Sequence, residues 1–380
     1  MMKVLITGGR GFLGRNIAAH LGRRNDCETL VFDREDSQSG LKSRLRVADV
    51  VFHLAGVNRP QDPGEFESGN AGFTERICEV LREAGRSPAI VFASSIQAGA
   101  GNPYGLSKRK AERTLRAFAA STGARLKIHR LKNVFGKWCR PNYNSVVATF
   151  CHNIANEMPI HISDPGRRVE LMYVDDVVEA FLAELPVHAR RDGHCEIPCF
   201  SLTLGELAGR IQSFHDMRTN LLAPDFAVRF NRQLYATYLS YVPDEVRRRQ
   251  LAVKADRRGS LIEFIKSKNF GQIFISRTRP GVTRGNHYHH TKTEQFLVVE
   301  GEGVVRMRNI ESSEVLEYGV RGEALQAIDI PPGYTHSIEN TGDGDMITLF
   351  WASEIFDPDR PDTYFLPVLE PAENPIPATA

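Results

Sequence analysis

Tyr104 and Lys108 stand four residues apart in the run Tyr104-Gly105-Leu106-Ser107-Lys108, and Ser95 closes an apolar run a little upstream. On a helix, the phenol and the ammonium share one face. A cation there stabilises phenolate, so the tyrosine can exchange a proton near neutral pH while Ser95 hydrogen-bonds the same oxygen. A second group lies far downstream. His287 and His289, two apart on a strand, point to one face; Glu294 opens the next strand, and His336 on a later strand supplies a third imidazole. Three neutral imidazoles and a carboxylate suit a divalent transition metal with open positions. Either pattern alone arises by chance, and surface histidines on a polar strand are ordinary, so the surrounding elements must carry the argument.

The first group needs a strand end and a helix. Ala89 to Ala93 reads as a buried strand with Ser94-Ser95 at its C-terminal end, where open parallel sheets place ligands. Near the N-terminus, Val4 to Ile6 reads as a first strand, followed by a glycine turn and a helix from Phe12. Gly8 permits the turn, Gly11 lets the backbone approach a pyrophosphate, and Gly14 lets helix and strand pack closely. The phosphates would sit on the free N–H groups around Phe12 and Leu13, at the positive end of that helix. This is a dinucleotide site. Glu28 to Asp33 reads as the second strand, and Asp33 falls 19 residues after Gly14, where an acid grips ribose hydroxyls and favours NAD. Arg34 beside it, or Arg10 in the turn, could instead hold a 2′-phosphate and favour NADP.

Val47 to Leu54 reads as a further strand, ending in His53-Leu54-Ala55-Gly56, where Ala55 and Gly56 are small at the place a cofactor must lie against it. Asn58 and Arg59 then offer an amide and a cation at the mouth of the cleft. Asn70, early in the next helical segment, reads as a cap or a solvent-facing amide. Lys137 to Ser145 is unusually polar and aromatic for a connection. Trp138 or Tyr143 could stack on a nucleobase and Arg140 could meet a diphosphate, a reading weighed evenly against simple surface packing. Leu204 to His215 reads as a helix of a second lobe, and Leu234 to Tyr241 closes the first core.

At 380 residues the chain is long enough for two domains with separate cores. A formal charge of +2 gives no global bias toward nucleic acid or membrane, and Arg247-Arg248-Arg249 reads as a solvated helix end. The N-terminus lacks a signal peptide's apolar core, and no segment approaches the ~18 apolar residues that span a bilayer. Six scattered cysteines suit a reducing cytoplasm. His194-Cys195 and Cys199 lack the second pair a metal knuckle needs. Pro243 to Lys254 is polar and arginine-rich, and strand-like runs with turn glycines recur beyond it from Leu261, an all-β signature. The expected division is a first domain over 1–245, a linker over 246–252, a second domain over 253–369 and a disordered, Pro- and Ala-rich tail over 370–380.

Residues 1–245 resemble the extended short-chain dehydrogenase/reductases, which act mostly on nucleotide sugars. The shared residues are Thr7-Gly8-x-x-Gly11-x-x-Gly14, His53-Leu54-Ala55-Gly56, Ser95, Tyr104/Lys108, Arg130-x-x-Asn133-x-x-Gly136 and Tyr173 to Val177. The resemblance implies a doubly wound α/β Rossmann domain with Ser95, Tyr104 and Lys108 as catalytic triad. It also implies that Asn133 faces the sugar or its diphosphate and that Tyr173 to Val177 marks the substrate lobe; a helix N-cap is an equal reading of Asp175. Residues 281–301 resemble the first cupin motif, with Gly281, His287, His289, Glu294 and Gly301 in step. The second motif appears as Pro331-x-Gly333-x-x-His336-x3-Asn340, with Leu325 where a leading glycine belongs. An all-β jelly-roll barrel is implied. The opening Asp256-x-Arg258-Gly259-x3-Glu263 is similar to cupin sugar epimerases that use a histidine base and a tyrosine acid. Here the strand after His336 carries Thr348-Leu349-Phe350-Trp351, which leaves Tyr288, Tyr318, Tyr334 and Lys292 unranked for the second proton.

The pairing of the two halves, with Phe135 to Cys139 and Phe356 to Leu366, closely resembles the CapF/WbjC family of bacterial capsule and O-antigen enzymes. That resemblance implies a bifunctional enzyme for a UDP-linked 4-keto-6-deoxy-N-acetylhexosamine. The cupin would invert C3 of UDP-2-acetamido-2,6-dideoxy-4-hexulose. The reductase would then reduce C4 with NADPH, NADH remaining open, to give the L-talose sugar on the way to UDP-N-acetyl-L-fucosamine. Zinc or another divalent metal in the cupin, and a homodimer through it, are also implied. Two other readings stand beside this one: a reductase whose cupin only dimerises and binds, and a 4,6-dehydratase or C4-epimerase that keeps its NAD.

Overall fold

A computed structural model describes residues 1–185 and 196–369, so His194, Cys195 and the tail over 370–380 lie outside the described residues. The chain divides into two compact units, Met1–Gln212 with Arg232–Pro243, and Ser213–Asn231 with the chain from Asp244 onward.

In the first unit, strands β1 (Met2–Thr7), β2 (Cys27–Phe32), β3 (Val50–His53), β4 (Ala89–Ser95) and β5 (Leu126–Leu131) form a sheet in the order β2-β1-β3-β4-β5. All of its pairings are parallel. Alternate residues of β1 enter different cores, Leu5 one and Val4 and Ile6 the other, because helices cover both faces of the sheet. This is the doubly wound arrangement. The chain steps out to β2 and then crosses back to β3, so the crevice above β1 and β3 is the natural ligand position. A smaller sheet joins β6 (Asn133–Phe135), β7 (Arg168–Tyr173) and β8 (Phe200–Thr203) in that order.

One expected element is corrected, and one residue's role changes with its burial. Val47 is not in a strand; it ends the helix Gln38–Val47, and the strand begins at Val50. Leu41, Leu45 and Ala48 are fully buried at a spacing of four and three, a helical period that overrides the β-branched Val47, which stays exposed. Asn70 lies in a π-helical turn, Glu67–Gly72, ahead of the helix Phe73–Glu83. The helix that begins at Leu204 runs on to Asn220, and Leu234 lies inside a helix Arg229–Leu239.

In the second unit β9 (Val253–Asp256), β10 (Gly259–Ser267), β11 (Gly271–Thr278), β13 (Glu294–Glu300), β16 (Ala327–Ile330) and β18 (Met346–Ala352) form one sheet. Strands β12 (Thr283–Tyr288), β14 (Glu302–Asn309), β15 (Val315–Arg321), β17 (Tyr334–Asn340) and β19 (Tyr364–Phe365) form a second. All pairings are antiparallel, and Phe296, Val305, Ile338 and Phe350 fill the space between the sheets. Leu325, in the place of the cupin glycine, adopts a left-handed φ of 45°, so the turn survives at the expense of strain. No helix among the described residues is long and apolar enough to cross a membrane.

Candidate active site and candidate metal centre

Ser95 ends β4, and Tyr104 and Lys108 follow on the helix Pro103–Thr122. Asn102 caps that helix by accepting from Gly105 N–H at 2.8 Å, and Pro103 occupies its first turn, so Tyr104 is fixed at its start. The Ser95 hydroxyl accepts the Gln97 N–H at 3.2 Å and lies near enough to the Tyr104 phenol to favour its ionised form. Burial pushes that phenol up, and the serine pulls it down; the lowering expected from Lys108 does not prevail. Lys108 is itself buried, which brings its ammonium down to about 8, with Glu112 one turn further along opposing the fall. Its Nζ donates to the Ala93 carbonyl at 3.1 Å and lies 5.0 Å from the centre of the Phe92 ring.

These groups line a cleft of about 1100 Å³ at the C-terminal ends of the strands. Gly8, Arg10, Gly11, Phe12, Leu13 and Gly14 form one wall, with Leu54 and Gly56 beside them; Asn58, Asn133 and Arg140 line it too. Gly8 has φ of +73°, and a Cβ on Gly14 would lie 2.2 Å from the Gly8 carbonyl, so the turn requires both. Asp33, Arg34, Ala55 and Arg59 are not part of the wall. The Asp33 carboxylate accepts the Arg10 N–H at 2.5 Å and the Arg34 N–H at 3.3 Å. The Arg10 guanidinium pairs with Glu35, while the Arg34 side chain is exposed. Arg59 reaches the site through Tyr143: its guanidinium lies 5.6 Å from that ring, and Arg140 lies 5.3 Å from it. Trp138 holds φ of 69°, with Arg15 and Lys137 at 5.8 and 5.5 Å from its ring. Asp175 is not an N-cap, since Tyr173 holds that place; its carboxylate takes Lys137 at 2.6 Å and His20 at 3.1 Å.

Two further groups have roles that the sequence reading did not assign. Glu112 is buried and bound to Ser94 at 2.6 Å and to both nitrogens of an Arg130 fork at 2.9 and 2.7 Å, bracing β4 and β5 against the helix Pro103–Thr122. Its spacing, one turn beyond Lys108, was the available signal. Fully buried His53 meets Thr7 Oγ1 at 2.8 Å and Thr74 Oγ1 at 2.9 Å. Thr74 gives its only proton to the Asn70 carbonyl at 2.8 Å, so His53 must donate through Nε2 and accept through Nδ1. Asn70 in turn bonds both backbone groups of Val57 and the Ser107 hydroxyl, at 2.8 to 3.0 Å. A histidine buried in this way is pushed down to about 3 by desolvation and then by Lys108, so it is a neutral strut.

In the second unit the donor atoms of His287, His289, Glu294 and His336 all lie within 4.8 Å of one another. His289 Nδ1 donates to the Asp362 carbonyl at 2.6 Å, and His336 Nδ1 to the Tyr334 carbonyl at 3.1 Å. Each Nε2 lone pair is therefore turned into the cluster. Both Nε2 atoms are buried without a hydrogen-bond partner, although Glu294 Oε2 lies 3.5 and 3.3 Å away. Burial pushes His287 down to about 4, assisted by His336. Neutral imidazoles converging on a carboxylate fit a divalent cation. Of the four side chains considered for proton transfer, Lys292 is engaged by Pro361 O and Thr363 Oγ1, both at 3.1 Å. Tyr288 stacks on Tyr364, on the opposite face of β12 from His287. Tyr318 is 39% exposed on β15, whereas Tyr334 shares the inner face of β17 with His336.

Residues 4–194 match the model of the NAD dependent epimerase/dehydratase family, and residues 254–364 match the polysaccharide biosynthesis C-terminal domain. The chain is 43% identical over 372 residues to a UDP-2-acetamido-2,6-beta-L-arabino-hexul-4-ose reductase of Pseudomonas aeruginosa, across 98% of this chain and 100% of that one. The capsular polysaccharide assembling protein CapF of Staphylococcus aureus superposes with a TM-score of 0.89 at 43% identity, covering 97% of this chain and 100% of that one. A UDP-glucose 4-epimerase of Thermotoga maritima, at 20% identity and a TM-score of 0.51, shares the fold over 63% of this chain and 98% of that one.

Proposed function

The chain belongs to the CapF family, and from that premise we propose that it converts a UDP-linked 2-acetamido-2,6-dideoxy-4-hexulose in two steps. The second barrel inverts C3; the first unit then reduces the C4 ketone with NADPH. The product is the UDP-linked L-talose sugar on the way to UDP-N-acetyl-L-fucosamine, made in the cytoplasm for a surface polysaccharide. The reductase corresponds to residues 1–245 and the cupin, through which the chain forms a homodimer, to residues 253–369.

Chemistry dictates the order. A hydrogen at C3 is acidic only while C4 is a ketone, because the enolate spreads its charge onto oxygen. Reduction removes that acidity. A nicotinamide bound in the cleft would supply hydride to C4, the carbonyl π electrons moving to oxygen. Tyr104 gives its proton to that oxygen, and its raised pKa keeps the proton available at neutral pH. Lys108 offsets the charge left on the phenol, and Ser95 orients the carbonyl. Gly8, Gly11 and Gly14, with the N–H groups of Phe12 and Leu13, would cradle the pyrophosphate; Asp33 and Arg34, outside the cleft wall, would meet the adenosine ribose, and Leu54, Ala55 and Gly56 would lie along the cofactor. Asn58 and Asn133 contact the sugar, and Arg59 and Arg140, gathered about Tyr143, take the UDP diphosphate.

In the barrel, His287, His289, Glu294 and His336 would hold zinc or a similar ion, which when bound can polarise a carbonyl. Inversion at C3 needs a base on one face of the sugar and a proton donor on the other, and Tyr334, on the same inner face of β17 as His336, would serve as one of the two. The observation that carries the reductase reading is the Ser95–Tyr104–Lys108 set inside a cleft walled by the glycine turn. The test is to incubate the 4-keto sugar with the whole protein in D2O without NADPH. Deuterium should enter at C3, and stoichiometric NADPH oxidation should follow when cofactor is added. Reduction without any exchange would leave a reductase with a silent cupin, and turnover without net NADPH use would leave a C4-epimerase or dehydratase.

A further inference from the structure

The segment over 356–368 lies beyond both histidine motifs, yet one of its residues reaches the candidate metal centre directly. The Asp362 carbonyl accepts from His289 Nδ1 at 2.6 Å. Its carboxylate accepts the N–H groups of His290, Thr291 and Lys292 at 2.9, 2.9 and 3.0 Å, and the Thr291 hydroxyl at 3.0 Å. The loop that follows His289 is thus gripped by one side chain, while the same residue's backbone faces the imidazole. Asp362 holds a left-handed φ of 38°, uncommon for a residue with a Cβ and tolerated best by Asn, Asp and glycine. Neighbouring contacts fix the segment on either side. Lys292 Nζ binds Pro361 O and Thr363 Oγ1, β19 pairs with β12, and Leu366 N donates to Asn286 O at 2.9 Å.

We propose that Asp362 is a positioning residue of the metal centre: its carbonyl selects the His289 tautomer that presents Nε2 to a cation, and its carboxylate holds that carbonyl in place. Without the carboxylate, the loop over 290–292 loses three N–H partners and the carbonyl is free to leave His289. The imidazole can then carry its proton on Nε2, where it blocks the ion. Outer partners of this type typically govern metal affinity by roughly 10–100-fold. The inference rests on reading the three histidines and Glu294 as metal ligands, and the experiment separates the two.

Zinc affinity of the whole protein, prepared free of metal, is measured by competition with a chromogenic chelator. Unaltered protein is compared with Asp362→Ala, Asp362→Gly and Asp362→Asn. Zinc binding should weaken about 10–100-fold in the alanine and glycine variants alike. Glycine accepts the left-handed backbone, so an equal loss there assigns the effect to the carboxylate. Asparagine, which keeps one acceptor oxygen and tolerates the same φ, should recover part of the affinity. Histidine 15N shifts of the metal-free protein should show His289 protonated at Nδ1 in the unaltered chain and a mixture of tautomers in the glycine variant. If the unaltered protein binds no zinc, the ligand reading falls and the inference with it. If it binds zinc and the glycine variant binds as tightly with an unchanged His289 tautomer, only the role of Asp362 falls. Far-UV circular dichroism and NADPH binding report folding, and the Gly–Asn pair decides the outcome should the alanine variant misfold.

Discussion

The two candidate sites meet their polar demands in opposite ways. In the first unit Lys108, Glu112 and His53 each have a protein hydrogen-bond partner; burial sets the direction for Tyr104, Lys108 and His53, while Arg130 and Ser94 hold the Glu112 carboxyl down against its burial. In the second, two imidazole nitrogens are buried facing a carboxylate with no proton to share. A satisfied network can move protons and recover its starting state, whereas lone pairs converging beside a carboxylate form a candidate site for a cation. The first site is also compact in sequence, with Ser95 to Lys108 on one strand end and one helix turn. The second draws its donors from residues 287 to 336.

That contrast breaks most readily at Tyr104. Tyr104→Phe should lower C4 reduction by at least ~10²–10⁴-fold while leaving deuterium incorporation at C3 intact. Reduction that survives would remove Tyr104 as the acid, and loss of exchange would show that the two steps do not separate. On the other side, His336→Ala should weaken zinc affinity, measured by competition with a chromogenic chelator, by more than the ~10–100-fold expected of an outer partner. An unchanged affinity in that variant would remove His336 from the ligand set.

Smaller effects sharpen the picture of the first site. Arg34 is the exposed cation beside Asp33, because Arg10 is occupied by Glu35. Arg34→Ala should therefore cost NADPH about 1.5–3 kcal/mol of binding and leave NADH nearly unchanged. Equal losses for both cofactors would contradict a 2′-phosphate contact. The mildest test is pH. Lys108, lowered to about 8 by burial, is charged below that pH and neutral above it. If its ammonium is needed, kcat/KM for reduction is full below about 8 and falls as pH rises through it. A profile flat to pH 9.5 would release Lys108 from that role.

Much of the fold was legible from periodicity. The apolar run ahead of the glycine turn, the strand ending in Ser95 and the change to short strands after Lys254 each rest on local chemistry: buried strands read as apolar runs, and turns need glycine. The failures were local as well. Val47 looked like strand because it is β-branched, but Leu41, Leu45 and Ala48 carry the helical face into the core. Asn70 looked like a surface amide, and burial in a π-helical turn made it a brace between Val57 and Ser107.

By itself the sequence determined which side chains can do chemistry: the glycines, the Tyr–Lys pair and the four candidate metal ligands follow from residue type and spacing. Only the tertiary structure decided their charge states and their supports. Burial raised Tyr104 where spacing alone suggested lowering, because desolvation depends on everything packed around a phenol rather than on the residue one turn away. Likewise Asp362, 73 positions from His289, meets it only because chain closure brings their backbones to hydrogen-bond distance. No pattern along a chain encodes such a meeting, since it depends on where two separate strands come to rest.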